Sequence, residues 1–299
     1  MKVKDTAILF LLAAIWGSSF LFMRICSPVL GPFLTIELRS LVAGLVLLIY
    51  AFISRRRIQV KNLWKKYLVA GILNGALPHM LFATASLTLD SSFTSILNST
   101  TPLFAVIAGV IWLDEKMTLK KMTAVFLGIF GVAVLIGWNP ASISLGFVLS
   151  ALLCIIATMS YAVVGVFIKK AFEGVSALSV SIGQQLSSAL ILMPFALTQL
   201  PSGPIPRNVI FSIAGLALMC TALASILLFY LISSAGPTKT QTATLLVPIF
   251  GMIWGAIFLK EKITVSMIAG LFIILLSVFM ILDIRIKPKK LSDKLNNYL

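Results

Sequence analysis

The chain has 299 residues, of which 60% are hydrophobic and only 11% charged. Soluble domains carry about a quarter charged residues and about half apolar ones, so a water-soluble globular fold is excluded. A formal charge of +15 would suggest a polyanion partner in a soluble protein. Here the basic residues fill short gaps between apolar runs, where lipid headgroups and membrane orientation account for them and no nucleic-acid partner is expected.

A membrane-crossing helix needs about 20 predominantly apolar residues. In chain order, ten such segments are predicted, at about 6–26, 31–53, 67–88, 92–113, 119–137, 145–168, 176–197, 208–232, 239–259 and 264–284. The gaps hold the turn formers and charges, such as Ser54 to Arg57, Asp114 to Lys116, Trp138 to Pro140, Pro201 to Pro204 and Ala235 to Pro237. None is long enough for a soluble domain. The first segment follows Lys2 and Lys4 but has no evident small-x-small site after Phe22, so it is expected to be retained and not cleaved as a leader. Cys26, Cys154 and Cys220 lack metal-like spacing and read as free core thiols.

With the N-terminus inside, nineteen of the 24 Lys and Arg fall on the inner side and five on the outer. The positive-inside rule therefore predicts that both termini are cytoplasmic.

The chain also repeats itself. A shift of 146 lays Pro102 on Pro248, Phe104 on Phe250, Gly109 on Gly255, Glu115 on Glu261, Lys116 on Lys262 and Thr118 on Thr264. Nine of the seventeen positions from 102 to 118 match, and apolar composition does not put Pro, Gly, Glu, Lys and Thr in register. A shift of 145 pairs Trp16 with Tyr161, Phe22 with Phe167 and Arg39 with Gln184. The predicted fold is therefore an all-α integral membrane protein with ten transmembrane helices in two inverted five-helix repeats. Residues 1–137 form the first, 138–284 the second, and 285–299 a basic cytoplasmic tail. Inverted repeats mark secondary transporters, because pseudo-symmetry gives inward-open and outward-open states of similar energy.

The stretches WGSSF at Trp16–Phe20, ELRSLVAGLVLL at Glu37–Leu48, TTPLFAVIAGVIWLDEKMT at Thr100–Thr118 and LVPIFGMIWGAIFLKEKIT at Leu246–Thr264 carry a family likeness. The chain resembles the drug/metabolite transporter superfamily, and within it the ten-helix EamA-like family, over essentially its whole length. The resemblance implies a multi-pass carrier in a bacterial cytoplasmic membrane, often an exporter of amino acids or related metabolites. A drug or toxic-compound efflux carrier is the alternative within that class. It implies no cofactor, and as partners only the lipid bilayer and a small-molecule solute, with the chain a monomer or weak homo-oligomer. Related small multidrug-resistance proteins carry a carboxylate in their first helix; positions 6–26 contain no Asp or Glu, which puts proton-coupled cation export in doubt.

A solute site is expected at the midplane, where equivalent helices are interrupted. Pro102 and Pro248 each lie about halfway along a span, and each frees a carbonyl four residues earlier, at Asn98 and Thr244. Ser95, Asn98 and Pro102 share one helix face, as do Gln241, Thr244 and Pro248. These faces either line a wet cavity or hydrogen-bond helix to helix. Ala105/Gly109, Gly251/Gly255 and Gly71/Gly75 are small-xxx-small pairs that read as helix packing contacts. Trp16 and Tyr161 are twins that either wall the solute or fill the core. Arg39 either holds a solute carboxylate or pairs with Glu37 or another chain group to fix the fold. Glu37 is expected to be solvated or paired with Arg24 or Arg39, and His79 is a lone intramembrane imidazole that lines the site or packs. The aromatic, Ser/Thr/Asn-lined middle suits a neutral or zwitterionic solute.

Rival classes are weak. One histidine and nine acids, mostly at loop ends, form no acid–base or metal constellation for a membrane enzyme, so no catalytic residue is assigned. No G-x-x-x-x-G-K-[ST] run supplies an ATP engine. The different-class alternative is an integral membrane enzyme or a non-transporting structural partner.

Overall fold

The computed structural model of the chain describes residues 2–56, 58–59, 63–137 and 144–281, with the side chains of Pro237 and Thr238 left out. Arg57, Lys61, the 138–143 connection and the basic tail therefore lie outside the described residues. Among the described residues every regular element is a helix. We number the main ones α1 (Val3–Ile53), α2 (Trp64–Ala85), α3 (Ser91–Leu113), α4 (Leu119–Ile136), α5 (Leu145–Ala171), α6 (Ala177–Gln199), α7 (Arg207–Ala235), α8 (Ala243–Leu259) and α9 (Val265–Ile281). The first seven are long and apolar enough to cross a bilayer, and α8 and α9 are apolar helices of 17 residues. This is a multi-pass membrane protein. Phe126, Ile129 and Phe130 on α4, and Val265, Ile268 and Phe272 on α9, are exposed apolar side chains that only lipid would cover well.

Local chemistry explains the helix starts. Thr118, Ser144 and Ser176 each cap a helix, their hydroxyls accepting from the amides of Lys121, Phe147 and Ser179 at 3.3, 3.1 and 3.2 Å. The predicted first two spans run on as one helix, broken inside rather than joined by a loop. Gly31, between Pro28 and Pro32, breaks it at φ 73° and ψ 157°, a backbone that a Cβ would strain. The Phe33 amide beyond the break donates to Gln199 Oε1 at 2.9 Å, so Gln199 on α6 holds the break.

The fourth and ninth predicted spans are interrupted upstream of their prolines, as expected. Around Ser99 and Thr100 the backbone tightens to i−3 bonding, Ser99 N to Ile96 O at 3.0 Å and Thr100 N to Leu97 O at 3.1 Å. The ninth begins late, at Ala243, because a single helical turn at Pro237–Thr240 gives way to a turn at Gln241 and Thr242. Each proline is therefore preceded by a short stretch of tightened i−3 bonding.

α1 occupies the middle of the bundle, packing on α2, α3, α6, α7 and α8. α4 and α9 pack mainly on each other at the side, where the 128–131 and 270 glycines let the backbones approach. α2 and α7 each contain a π-helical stretch, Gly71–Ala76 and Gly215–Leu223, which overlap under the 146-residue shift.

Candidate functional site

The faces of α3 and α8 meet at one end and separate at the other. Ser95 is wholly buried, its hydroxyl donating to Ser92 O at 2.8 Å, and it lies against Gly251 so closely that a Cβ there would collide with Ser95 Oγ. Pro248, Gly251 and Gly255 are buried along with it. Moving down α3, Asn98 and Pro102 are half-buried and Ala105 is exposed. On the other helix Thr244 is half-buried and Gln241 exposed. The Ser91–Asn98 half of α3 packs on α8, whereas its Thr101–Leu113 half packs on α5 and α9. The two predicted stripes are thus each divided, one part a buried helix contact and the other not covered by the facing helix. Thr101 Oγ1 donates to the Asn98 carbonyl at 2.8 Å, which satisfies the acceptor freed by Pro102.

The small-residue pairs divide in the same way. Gly251 packs on Ser95, and Gly255 faces Glu261, Ser91 and Ser92. Gly71 and Gly75 abut Ser187 and Ser188 of α6. Ala105, by contrast, is exposed, while Gly109 is buried with the Glu115 carboxylate nearest to it.

The ends of α3 and α8 are built alike. Asp114 and Lys260, 146 residues apart, both take left-handed backbone at φ 55°. In each, the next amide bonds back to a glycine carbonyl at 3.2 Å, Glu115 N to Gly109 O and Glu261 N to Gly255 O. The carboxylates so presented meet different partners. Glu261 accepts from the Ser91 and Ser92 amides at 2.8 and 2.9 Å, and from the Ser92 hydroxyl, at the N-terminus of α3. Glu115 accepts from Lys121 Nζ at 2.8 Å and stays half exposed. That bond holds the Glu115 carboxyl below its ordinary range. Asp90, beside Glu261, is held above its ordinary value, first by burial and then by the neighbouring negative charge, with Arg24 opposing.

A second polar centre lies among α1, α2, α5 and α7. Arg39 is 5% exposed, and its Nε donates to Thr221 Oγ1 at 2.9 Å. Thr221 in turn donates to Leu216 O within the π-helical stretch of α7. Arg39 Nη1 is buried without a partner, as is His79 Nδ1. His79 meets the Tyr161 ring edge-on at 6.0 Å, and Tyr161 stacks on Phe82 at 6.2 Å. Arg39 is within electrostatic reach of His79, Tyr161 and Cys220. Ser18 and Cys220 Sγ are 3.4 Å apart, which joins the WGSSF stretch to this centre, and Trp16 packs half-buried against the main core. The three thiols are free and buried.

Glu37 does not pair as expected. It is 5% exposed, its Oε2 has no partner, and neither Arg24 nor Arg39 forms an ion pair with it. Arg24 instead donates to the Ser86 carbonyl at 2.5 Å. The reason is geometric, since residues two apart on a helix face opposite ways, and Arg39 turns toward Thr221.

Several polar residues of this region do not stand out in the sequence. Asn74 Nδ2 donates to Gln184 Oε1, Arg39's repeat twin, at 2.9 Å. Ser40 and Ser188 share a hydrogen bond at 3.2 Å, and Gln185 is buried with Oε1 unpartnered. Asp5, just outside the first predicted span, is buried and accepts from Ser234. The only signal of them in the sequence is a polar residue inside or beside an apolar run.

The model of the EamA-like transporter family matches residues 6–137 and again 148–283. The chain is 25% identical to the uncharacterised transporter YoaV of Bacillus subtilis over 89% of this chain and 92% of that one. It is 26% identical to protein PecM of Dickeya dadantii, covering 98% and 99%. It is 23% identical to a probable amino-acid metabolite efflux pump of Salmonella typhimurium, covering 93% and 95%. A solved crystal structure, 15% identical, superposes with a TM-score of 0.65 over 94% of this chain and 96% of that one, which shows a shared fold.

Proposed function

The chain belongs to the EamA-like transporter family, and from that premise we propose that it carries a small neutral or zwitterionic organic solute across the bacterial cytoplasmic membrane by alternating access. Export of an amino acid or related metabolite is the direction and cargo favoured, in keeping with the relative named as a probable amino-acid metabolite efflux pump. The carrying observation is the divided pair of stripes, dry at Ser95 and Gly251 and uncovered at Ala105 and Gln241. We read the uncovered end as a solute cleft, which, closed at one end and open at the other, is one half of an alternating-access cycle.

Ten spans in two inverted repeats complete the reading. The break at Gly31 supports counting α1 as two spans, and the twin left-handed caps and twin π-helical stretches support the repeat. The cleft opens on the side that the excess of Lys and Arg assigns to the cytoplasm. Asn98, Pro102, Gln241 and Thr244 line it, with Ser95 and Pro248 at its closed end. The buried Arg39 donor offers a charge-assisted bond to a solute carboxylate, with His79 and Tyr161 near it and Trp16 as a further wall of the solute site. Glu37 then keeps a structural place near the outer end.

The test is counterflow from proteoliposomes against a panel of amino acids, metabolites and lipophilic cations at two external pH values. Uptake of a zwitterion that falls at least about tenfold in Asn98→Ala or Arg39→Gln is the expected result. Unchanged uptake in both variants would remove this site, and uptake of the cations alone would favour the drug-efflux alternative.

A further inference from the structure

Asp90 occupies the N-cap position of α3, with extended backbone at φ −64° and ψ 152°. An aspartate there ordinarily accepts from the amides two and three residues on, those of Ser92 and Phe93. Its side chain makes no capping bond. Glu261, arriving from the far end of α8, accepts from Ser91 N and Ser92 N instead. Two carboxylates therefore stand at one helix N-terminus, and the incoming one holds the Ser92 amide that Asp90 would otherwise cap. The surrounding charges are Arg24 on α1, and Lys260 and Lys262 flanking Glu261.

We propose that Asp90 and Glu261 form an exchange latch, in which Glu261 caps α3 while the α3–α8 contact is closed and Asp90 caps it when α8 swings away. This rests on the two-sided gating of the proposed carrier. Parting α8 from α3 takes Glu261 off three donors, and without a substitute those amides would be left bare at a partly buried helix end. Asp90 is already at the right backbone geometry and needs only a side-chain rotation. The exchange keeps the α3 terminus capped throughout, which narrows the energy gap between the two states. It also makes the two carboxylates antagonists: Glu261 favours the closed contact, and Asp90 favours the open one. The repulsion between them acts in the same direction, since it is relieved when Glu261 leaves.

The reporter is Ser95→Cys, buried in the closed contact, labelled by a membrane-impermeant maleimide offered on either face of sealed vesicles. The native thiols give the background in the parent chain. Glu261→Ala is expected to raise the labelling rate at least about fivefold, and Asp90→Ala to lower it about fivefold. Asp90→Asn, which keeps a capping oxygen, should fall between Asp90→Ala and the parent. A merely loosened fold would raise labelling in both alanine variants, and that result, or an unchanged rate in Asp90→Ala, would overturn the latch. Counterflow on the same vesicles separates the two readings. Its absence in the parent chain with the opposed labelling shifts intact would remove the carrier reading, whereas intact counterflow with no opposed shifts would remove only the latch.

Discussion

Gly251 is the position where one added carbon has the clearest consequence. Its missing side chain is what lets α8 lie on Ser95, and the obstacle a Cβ would meet is a buried hydroxyl together with its own Cβ. Overfilling such a contact costs about 1–3 kcal/mol, or is avoided by moving the helices apart. Gly251→Val is accordingly expected to lower the melting temperature of the purified protein and to speed labelling of Ser95→Cys; an unaltered melt with slow labelling would mean the contact is softer than described. Asp90 gives a pH signature. Burial and Glu261 hold its carboxyl above the ordinary 3.8, so the folded protein binds that proton more tightly than the unfolded chain. The corresponding stability is present below the ordinary value and is lost as pH rises through the raised one. Asp90→Asn should therefore gain stability relative to the parent as pH rises across that window, read as converging or crossing melting curves. The proline positions and the polar stripes beside them were legible in the sequence, because proline and helical spacing are local facts. Which half of each stripe is dry was not, because Ser95 is covered by Gly251 from another helix.

Among the elements, the π-helical stretches stand out for their symmetry. A π turn widens the helix by one residue, so the residues beyond it are rotated by about 100° relative to an unbroken α-helix. In α7 it sets Thr221 against Arg39, and in α2 it ends three residues before His79. Deleting Leu218 should convert the α7 stretch to ordinary α-helix and take Thr221 out of register with Arg39. The expected outcome is a chain that still inserts, with unchanged helical circular dichroism, and no longer transports. Full transport after the deletion would show that the widened turn has no part in positioning the centre. The residues at 215–223 do not announce a π turn, whereas at 71–76 Pro78, which offers no N–H to the Asn74 carbonyl, is a local signal. Asn74 with Gln184 and Ser40 with Ser188 are not announced either, their partners lying over a hundred residues away. Arg39 and His79 could be singled out because ionisable groups are rare in lipid, while Thr221, which holds Arg39, could not.

At the scale of the molecule, apolar run length made the helical membrane fold readable, and repetition of the Pro-to-Glu block brought out the paired helix ends. The sidedness of the basic residues gives the orientation a direct check. A fluorescent protein fused to the C-terminus should fluoresce, and alkaline phosphatase inserted in the 138–143 connection should be active. The reverse pair of results would invert the assignment of the cleft to the cytoplasm. What run length could not supply was the join between the first two spans, where the helix continues through Pro28 and breaks only at Gly31, held by Gln199. That break bears on biogenesis. From Cys26 to Gly31 the only polar side chain is Ser27, which is itself buried and accepts a bond from Ser86. Counted as two spans, as proposed above, α1 presents almost no hydrophilic mass for translocation at its break, so both halves can enter the bilayer together as a helical hairpin, driven by lipid partitioning rather than by force from the export machinery.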